Sequence, residues 1–181
     1  MRIISGQFKG RKLVSFKADH IRPTTDRVKE SLFNTVMADI AGRRVLDLFS
    51  GTGNLGFEAV SRGADYVESV ESNKKSLQII QANKKLLGIK SGHVVCPIDV
   101  FKYLKSYEGL PFDVVLVDPP FTQSLAHPTM ELLTGSGAVS THTLIAIESS
   151  HKERLDESYG VFQIWKQNAY GDKYLTFYVT E

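Results

Sequence analysis

From residue 44 onward the chain alternates short apolar runs with longer stretches of mixed polarity. RVLDLF (44–49), YVESVE (66–71), HVVC (93–96), DVVLVD (113–118) and TLIAIE (143–148) are rich in β-branched and apolar residues and read as strands. Residues 54–62, 74–87, 100–107 and 123–133 read as helices, the second capped by Asn73 or Ser72 and ended by Gly88. Strands that alternate with helices predict βαβ crossovers and a parallel sheet covered on both faces. The C-terminal part departs from this rule. VFQIWKQNAY (161–170) and YLTFYVT (174–180) are separated only by turn-forming residues, which predicts an antiparallel hairpin added to the sheet.

Ahead of residue 44, apolar residues flank Gly6 and Gly10 on both sides, a pattern for a hairpin or two short strands. Val28, Leu32, Val36 and Ile40 then recur every four residues, with Phe33 and Met37 beside them, as one apolar helical face. Thr24, Thr25 and Asp26, just after Pro23, are the N-cap candidates. The expected fold is α/β and doubly wound: a mostly parallel sheet of about seven strands, an antiparallel C-terminal hairpin and a small N-terminal hairpin-helix extension. One domain is expected over 1–181, with a basic extension (1–42) and a Rossmann-like core (43–181).

Composition narrows the class. A chain of 181 residues, 42% hydrophobic and 23% charged, is ordinary for a globular protein. No run approaches the ~18 apolar residues that span a bilayer, and the basic N-terminus has no apolar stretch of the secretory kind. The single cysteine, Cys96, excludes an internal disulfide and a cysteine-based zinc site. A cytoplasmic protein is expected, with no membrane partner. The net charge of +2 hides an asymmetry: residues 1–44 hold ten Lys/Arg and four Asp/Glu, a net of +6, and the remainder is −4. A basic end attracts polyanions. Lys9, Arg11, Lys12, Arg22 and Arg27 are the candidate phosphate contacts, weighed against plain surface solvation.

The first strand of the core runs into Asp47-Leu-Phe-Ser-Gly51-Thr-Gly53-Asn-Leu-Gly56, whose glycines match G-x-G-x-x-G, and Glu71 lies twenty residues after Gly51. This satisfies the dinucleotide fingerprint, so a nicotinamide oxidoreductase has to be considered. Asp47 argues against it. A pyrophosphate loop offers backbone N–H groups to an anion, which a carboxylate at the strand end would repel. A ligand with an ammonium group suits Asp47 better. S-adenosylmethionine (SAM) carries an ammonium and a sulfonium and no phosphate. Glu71 could accept from both hydroxyls of its ribose, and Asp99 from its adenine amine. The simple alternative is a glycine turn with solvated acids. That alternative is weakened because each acid falls at the carboxyl end of a strand, where open α/β sheets bind ligands.

Asp118-Pro119-Pro120-Phe121 ends the fourth core strand, which the expected sheet order places beside the first. Alone, the motif reads as a rigid strand exit. In phase with the other acids it suggests a clamp for an amine on a ring, which is a poor nucleophile because its lone pair is delocalised. The Asp118 carboxylate and the Pro119 carbonyl could accept the amine protons, the prolines restrict motion, and Phe121 could stack on the base, worth ~1–3 kcal/mol.

D-P-P-F resembles the [D/N]-P-P-[Y/F] motif of SAM-dependent amino-methyltransferases, and DLFSGTGNLGFEAVSRGA looks like their SAM loop. RIISGQFKGRKL, IRPTTDRVKESLFN and YGDKYLTFY narrow the resemblance to the bacterial family that methylates guanine N2 in small-subunit ribosomal RNA. It runs from residue 1 to about 178, and its most specific part is R-P-T-x-D-R-V-x-E at 22–30. The resemblance implies that Asp47, Phe49, Gly51, Gly53, Glu71, Ser72, Asp99 and Val100 bind SAM. It implies that Asp118, Pro119, Pro120 and Phe121 hold the guanine amine. Thr24 joins the basic residues as an RNA contact, and the partner is small-subunit rRNA or the assembling small subunit. Two positions depart from the family pattern: Phe121 where Tyr is common, and Pro-Ile-Asp at 97–99 where many relatives have Gly-Asp.

Alternatives remain at this point: adenine-N6 or protein glutamine methylation, an NAD(P)-dependent oxidoreductase, and an idle RNA-binding module. The five histidines show no metal spacing, so no metal is expected. No G-x-S-x-G elbow is present. Cys96 reads as a small hydrophobe, and Tyr170 and Tyr174 as hairpin packing.

Overall fold

The computed structural model describes residues 1–16, 26–121 and 123–180. In chain order its elements are α1 (Asp26–Thr35), β1 (Arg44–Leu48), α2 (Asn54–Ser61), β2 (Tyr66–Val70), α3 (Lys74–Leu87), β3 (His93–Cys96) and α4 (Val100–Lys105), then β4 (Val114–Val117), α5 (Ala126–Thr134), β5 (Leu144–Ser150), β6 (Ser158–Tyr159), β7 (Phe162–Tyr170) and β8 (Lys173–Thr180). The sheet order is β3-β2-β1-β4-β5-β8-β7-β6. The first five of these strands are parallel, and β8 returns antiparallel to β5 with β7 and β6 outside it. The sheet has eight strands, one more than the hydrophobic pattern indicates. The additional strand, β6, is a two-residue piece that turns at Gly160 (φ 58°) to pair with β7. Two residues are too few to show a period.

Both sheet faces are buried, and alternation assigns each residue to one of them. Leu46, Leu48, Val115, Val117, Ile145 and Ile147 pack with Val100, Leu104, Met130 and Leu133 of α4 and α5. Val45, Val67, Val114, Leu116, Leu144 and Ala146 pack with Val28, Leu32, Phe33, Leu55 and Ala59 of α1 and α2. Continuing the second set to the strand ends brings Asp47, Ser69, Asp118 and Glu148 to one face at the carboxyl edge. The chain winds from β1 outward to β3 and then returns to β4 on the other side of β1. The β1–β4 boundary is therefore the topological switch point, where open α/β sheets form their ligand crevice.

The N-terminal segment forms one antiparallel bridge, Arg2 to Lys12, rather than two full strands. Ile3 and Leu13 bury against Phe57, Ile80 and Leu87 of α2 and α3. The expected apolar face is buried at Val28, Leu32 and Phe33 of α1 and at Val36 and Ile40 beyond it, but Met37 is 65% exposed. The α-helix stops at Thr35, and a 3-10 turn at Met37–Asp39 rotates Met37 off the apolar face. The N-terminal acid of α1, Asp26, lies inside the first turn and accepts from Arg2 Nε at 2.9 Å. Among the described residues no helix is long and apolar enough to cross a membrane.

A buried ion triad fastens this extension to the core. Lys29 and Glu58 are fully buried. Lys29 Nζ donates to the Arg2 carbonyl (2.6 Å) and Asn54 Oδ1 (2.8 Å), and it pairs with Glu58 Oε2 at 3.1 Å. Glu58 also accepts from the Ile4 and Ser5 amides and from Arg62 Nε at 2.9 Å. Burial pulls the Lys29 pKa down from its ordinary value, and Glu58 opposes that shift. Removing one member leaves the others charged and dry. Glu58→Ala is expected to cost about 3–5 kcal/mol of unfolding free energy, read from urea denaturation, and to expose residues 1–16 to proteolysis.

Candidate active site

The glycine loop leaves β1 at Leu48 and enters α2 at Asn54. Phe49 takes a left-handed conformation (φ 59°), uncommon for a bulky residue, and its ring meets Phe101 edge-on at 6.5 Å. Gly53 caps α2 with φ 82°, which a side chain at that position would strain. Gly56 is needed for a different reason. A Cβ there would lie 2.7 Å from Ser69 Oγ and 2.9 Å from Asp47 Oδ2, so β1, β2 and α2 can approach only with a hydrogen in that place.

Asp47 sits under this contact, 1% exposed. Its Oδ2 accepts from the Gly56 amide (3.0 Å) and from Ser69 Oγ (3.4 Å). Ser69 Oγ in turn bonds His93 Nε2 at 2.9 Å. Burial pushes the Asp47 pKa up to about 7, against the lowering effect of the Gly56 amide, and the nearby Asp118 charge adds to the rise. Burial depresses His93 to about 4, so its imidazole is neutral. Glu71 grips the other side of the loop: Oε2 accepts from the Gly51 amide (2.8 Å) and Oε1 from the Asn73 amide (2.6 Å). Each carboxylate oxygen keeps a second lone pair for a ligand hydroxyl.

The remaining expected cofactor residues are distributed around the same edge. Ser72 is exposed after β2, and the α3 cap is Asn73, whose Oδ1 accepts from the Lys75 and Ser76 amides. Asp99 is exposed and caps α4 through the Lys102 amide at 3.1 Å. The Val100 side chain belongs to the core, 3% exposed, which leaves only its backbone for a ligand. Cys96 is half-buried and gives its thiol to Glu68 Oε1 at 3.0 Å. Burial and that carboxylate push its pKa to about 12, which keeps it a thiol at neutral pH.

On the other side of the switch point, the β1–β4 register pairs Leu48 with Val117, and the Asp118 amide donates to the Leu48 carbonyl at 3.4 Å. Asp118 is half-buried, Pro119 buried, Pro120 exposed and Phe121 half-buried. The D-P-P-F segment and the glycine loop therefore leave the sheet side by side. Pattern reading missed the residue against Phe121: Lys173, whose Nζ lies 3.8 Å from the ring centroid and pairs with Glu148 Oε2 at 3.2 Å. Lys173 is distant in sequence, and only the antiparallel pairing of β8 with β5 delivers it.

Of the expected RNA contacts, Arg22 and Thr24 lie outside the described residues. Lys9, Arg11, Lys12 and Arg27 are exposed. Arg27 lines an open groove of about 460 Å³ between α1 and β7, together with Glu30, Ser31, Asn34, Lys166 and Tyr170. Tyr170 hydrogen-bonds Ser31, and the Tyr174 ring packs on His151 at 4.4 Å.

The raised Asp47 pKa carries a sign. Between the ordinary carboxyl value and about 7, the native state holds this proton more tightly than the unfolded chain does, so its contribution to stability falls as pH rises through that window. Asp47→Asn removes the effect and keeps His93 common to both proteins. The stability of the variant relative to wild type is expected to rise from about pH 4 to about pH 7 and to level off above, measured by urea midpoints across pH. Gly56→Ala is expected to destabilise the fold and weaken ligand binding at the loop together, read from melting temperature and calorimetry.

Comparison with known proteins agrees with this architecture. The family model described as "Conserved hypothetical protein 95" matches residues 1–179. Curated relatives called "Ribosomal RNA small subunit methyltransferase D" include those of Escherichia coli, 39% identical over 82% of this chain and 74% of that protein, and Haemophilus influenzae, 38% identical over 86% and 81%. A solved structure of a candidate methyltransferase from Escherichia coli superposes with a TM-score of 0.89 at 34% identity, covering 100% of this chain and 98% of that one. A candidate methylase from Haemophilus influenzae gives 0.82 at 34% identity, covering 98% and 96%. The fold is thus the Rossmann-like methyltransferase fold, and the chain belongs to the "Conserved hypothetical protein 95" family together with these small-subunit rRNA methyltransferases.

Proposed function

We propose that this protein is a SAM-dependent methyltransferase that modifies the exocyclic N2 amine of a guanine in small-subunit ribosomal RNA. The observation that carries the proposal is the emergence of Asp118-Pro119-Pro120-Phe121 beside the glycine loop at the switch point of the sheet. The loop suits SAM better than a dinucleotide. The Gly51 amide, which a pyrophosphate loop would aim at an anion, donates to Glu71, and a carboxylate lies beneath the start of α2. Glu71 would face the ribose of the cofactor, and Asp47, buried beneath Gly56, would support the loop from below and act on the ammonium without touching it, with Phe49, Gly51, Gly53, Ser72, Asp99 and the Val100 backbone around the ligand. Bound SAM supplies an electrophilic methyl group.

The chain itself contributes orientation. The Asp118 carboxylate and the Pro119 carbonyl accept the two protons of the amine, which localises the nitrogen lone pair away from the ring. The prolines hold both acceptors at a fixed separation, and Phe121 stacks on a base taken out of its RNA stack. Catalysis is then positioning and electrostatics, without a covalent intermediate, and the one N–H proton lost as the nitrogen is methylated passes by way of the Asp118 carboxylate to solvent. Exposed Lys9, Arg11 and Lys12, and Arg27 with Lys166 in the α1–β7 groove, would take phosphates, which gives affinity that falls with salt. Arg22 and Thr24 are proposed for the same role from the motif they belong to.

Incubation with SAM and under-methylated small subunits, followed by mass spectrometry of rRNA nucleosides, is expected to give N2-methylguanosine. A product methylated on adenine or on protein glutamine would refute the guanine assignment. Asp118→Ala is expected to abolish transfer while S-adenosylhomocysteine (SAH) binding by calorimetry stays within about threefold, a difference of under 1 kcal/mol. Full activity of that variant would remove the proposed clamp.

A further inference from the structure

Phe121 does not stand free at the end of its motif. The Lys173 ammonium lies 3.8 Å from its ring centroid, a close cation–π contact. Lys173 is itself restrained, with its side chain 13% exposed and its Nζ 3.2 Å from Glu148 Oε2 on a side chain that is 1% exposed. Strand pairing sets this geometry: Ser150 of β5 lies opposite Lys173 of β8, and Glu148 opposite Leu175. On the other side of β5, Val117 lies beside Ile147, so Asp118, the first residue past β4, stands level with Glu148, which is still within β5. Alternation puts both on the face covered by α1 and α2. The amine clamp, the aromatic ring and the ion pair thus share one corner of the sheet edge.

We infer that Lys173, anchored by Glu148, is a positioning residue for methyl transfer: it holds the Phe121 ring so that the face away from the ammonium receives the target base. The inference rests on the amine-clamp reading of Asp118-Pro119-Pro120-Phe121. A half-buried phenyl ring at a loop exit can turn about its side-chain torsions. A cation fixed against one face removes that freedom, because turning the ring forfeits the contact. The same cation bars the base from that face and leaves one stacking geometry, in which the exocyclic amine meets Asp118 and the Pro119 carbonyl. Phe121 lacks the hydroxyl that a tyrosine would use to hold its ring through a hydrogen bond, so here the restraint falls to Lys173.

The test is a double-mutant cycle on methyl transfer to under-methylated small subunits, with SAH binding and melting temperature measured alongside. Lys173→Met is expected to lower kcat/KM by roughly 2- to 30-fold with SAH affinity unchanged, and Lys173→Arg to restore most of it. In a Phe121→Leu background, Lys173→Met is expected to have no further effect, since there is no ring left to hold. The paired variant Glu148→Gln/Lys173→Met avoids an unpaired buried charge and is expected to show the same loss if Lys173→Met alone folds poorly. Wild-type kcat/KM in Lys173→Met, or an equal loss with and without Phe121, would overturn the inference. Methylation of some other amine would refute the guanine reading alone, since the cycle can be run on whichever amine is methylated.

Discussion

The Lys29–Glu58–Arg62 triad is the constraint on which the arrangement of the site depends. Burying three charges is costly, and the cost is offset only while every hydrogen-bonding position is filled. Those positions are filled by three separate stretches of chain: the Arg2 carbonyl and the Ile4 and Ser5 amides from the N-terminal segment, Lys29 from α1, and Asn54, Glu58 and Arg62 from α2. Asn54 is the first residue of α2, directly after the glycine loop. The triad therefore fixes the direction in which the loop enters its helix and seats the basic extension beside it. A segment singled out in the sequence for its basic charge is, over its described residues, also part of the framework of the loop.

Within that framework the acids at the sheet edge have two roles. Glu71 and Asp47 both accept backbone amides of the glycine loop. These bonds hold the loop in shape before any ligand arrives, which limits the ordering cost of binding. The Asp47–Ser69–His93 chain extends the support across β2 to β3, with His93 neutral at its far end. The glycine-loop side of the switch point is thus preorganised by hydrogen bonds, while the Asp118-Pro119-Pro120-Phe121 side is ordered by proline stiffness and, through Lys173, by an ion pair and a ring contact.

Much of this was determined by the sequence alone. The short continuous apolar runs in DVVLVD and TLIAIE, and the longer stretches of mixed polarity between such runs, set the α/β class and the position of every core strand within a residue or two. Turn chemistry at Gly88, Asn73 and the 171–173 turn marked the element ends, because those backbone preferences are local. Asp47, Glu71, Asp99 and Asp118 could be placed at strand ends for the same reason, since a parallel sheet puts every such end at one edge. Tertiary structure decided which of those acids are already engaged and with what. The Glu71 partner, Gly51, is twenty positions away, and the Asp47 pKa depends on how tightly Gly56 packs over it. Lys29, Glu58 and Lys173 carried no local signal, as a charged residue in an amphipathic helix or beside a turn normally faces solvent. Their burial follows from long-range pairing of α1 with α2 and of β5 with β8, and pairing between distant segments has no periodic signature in a single chain.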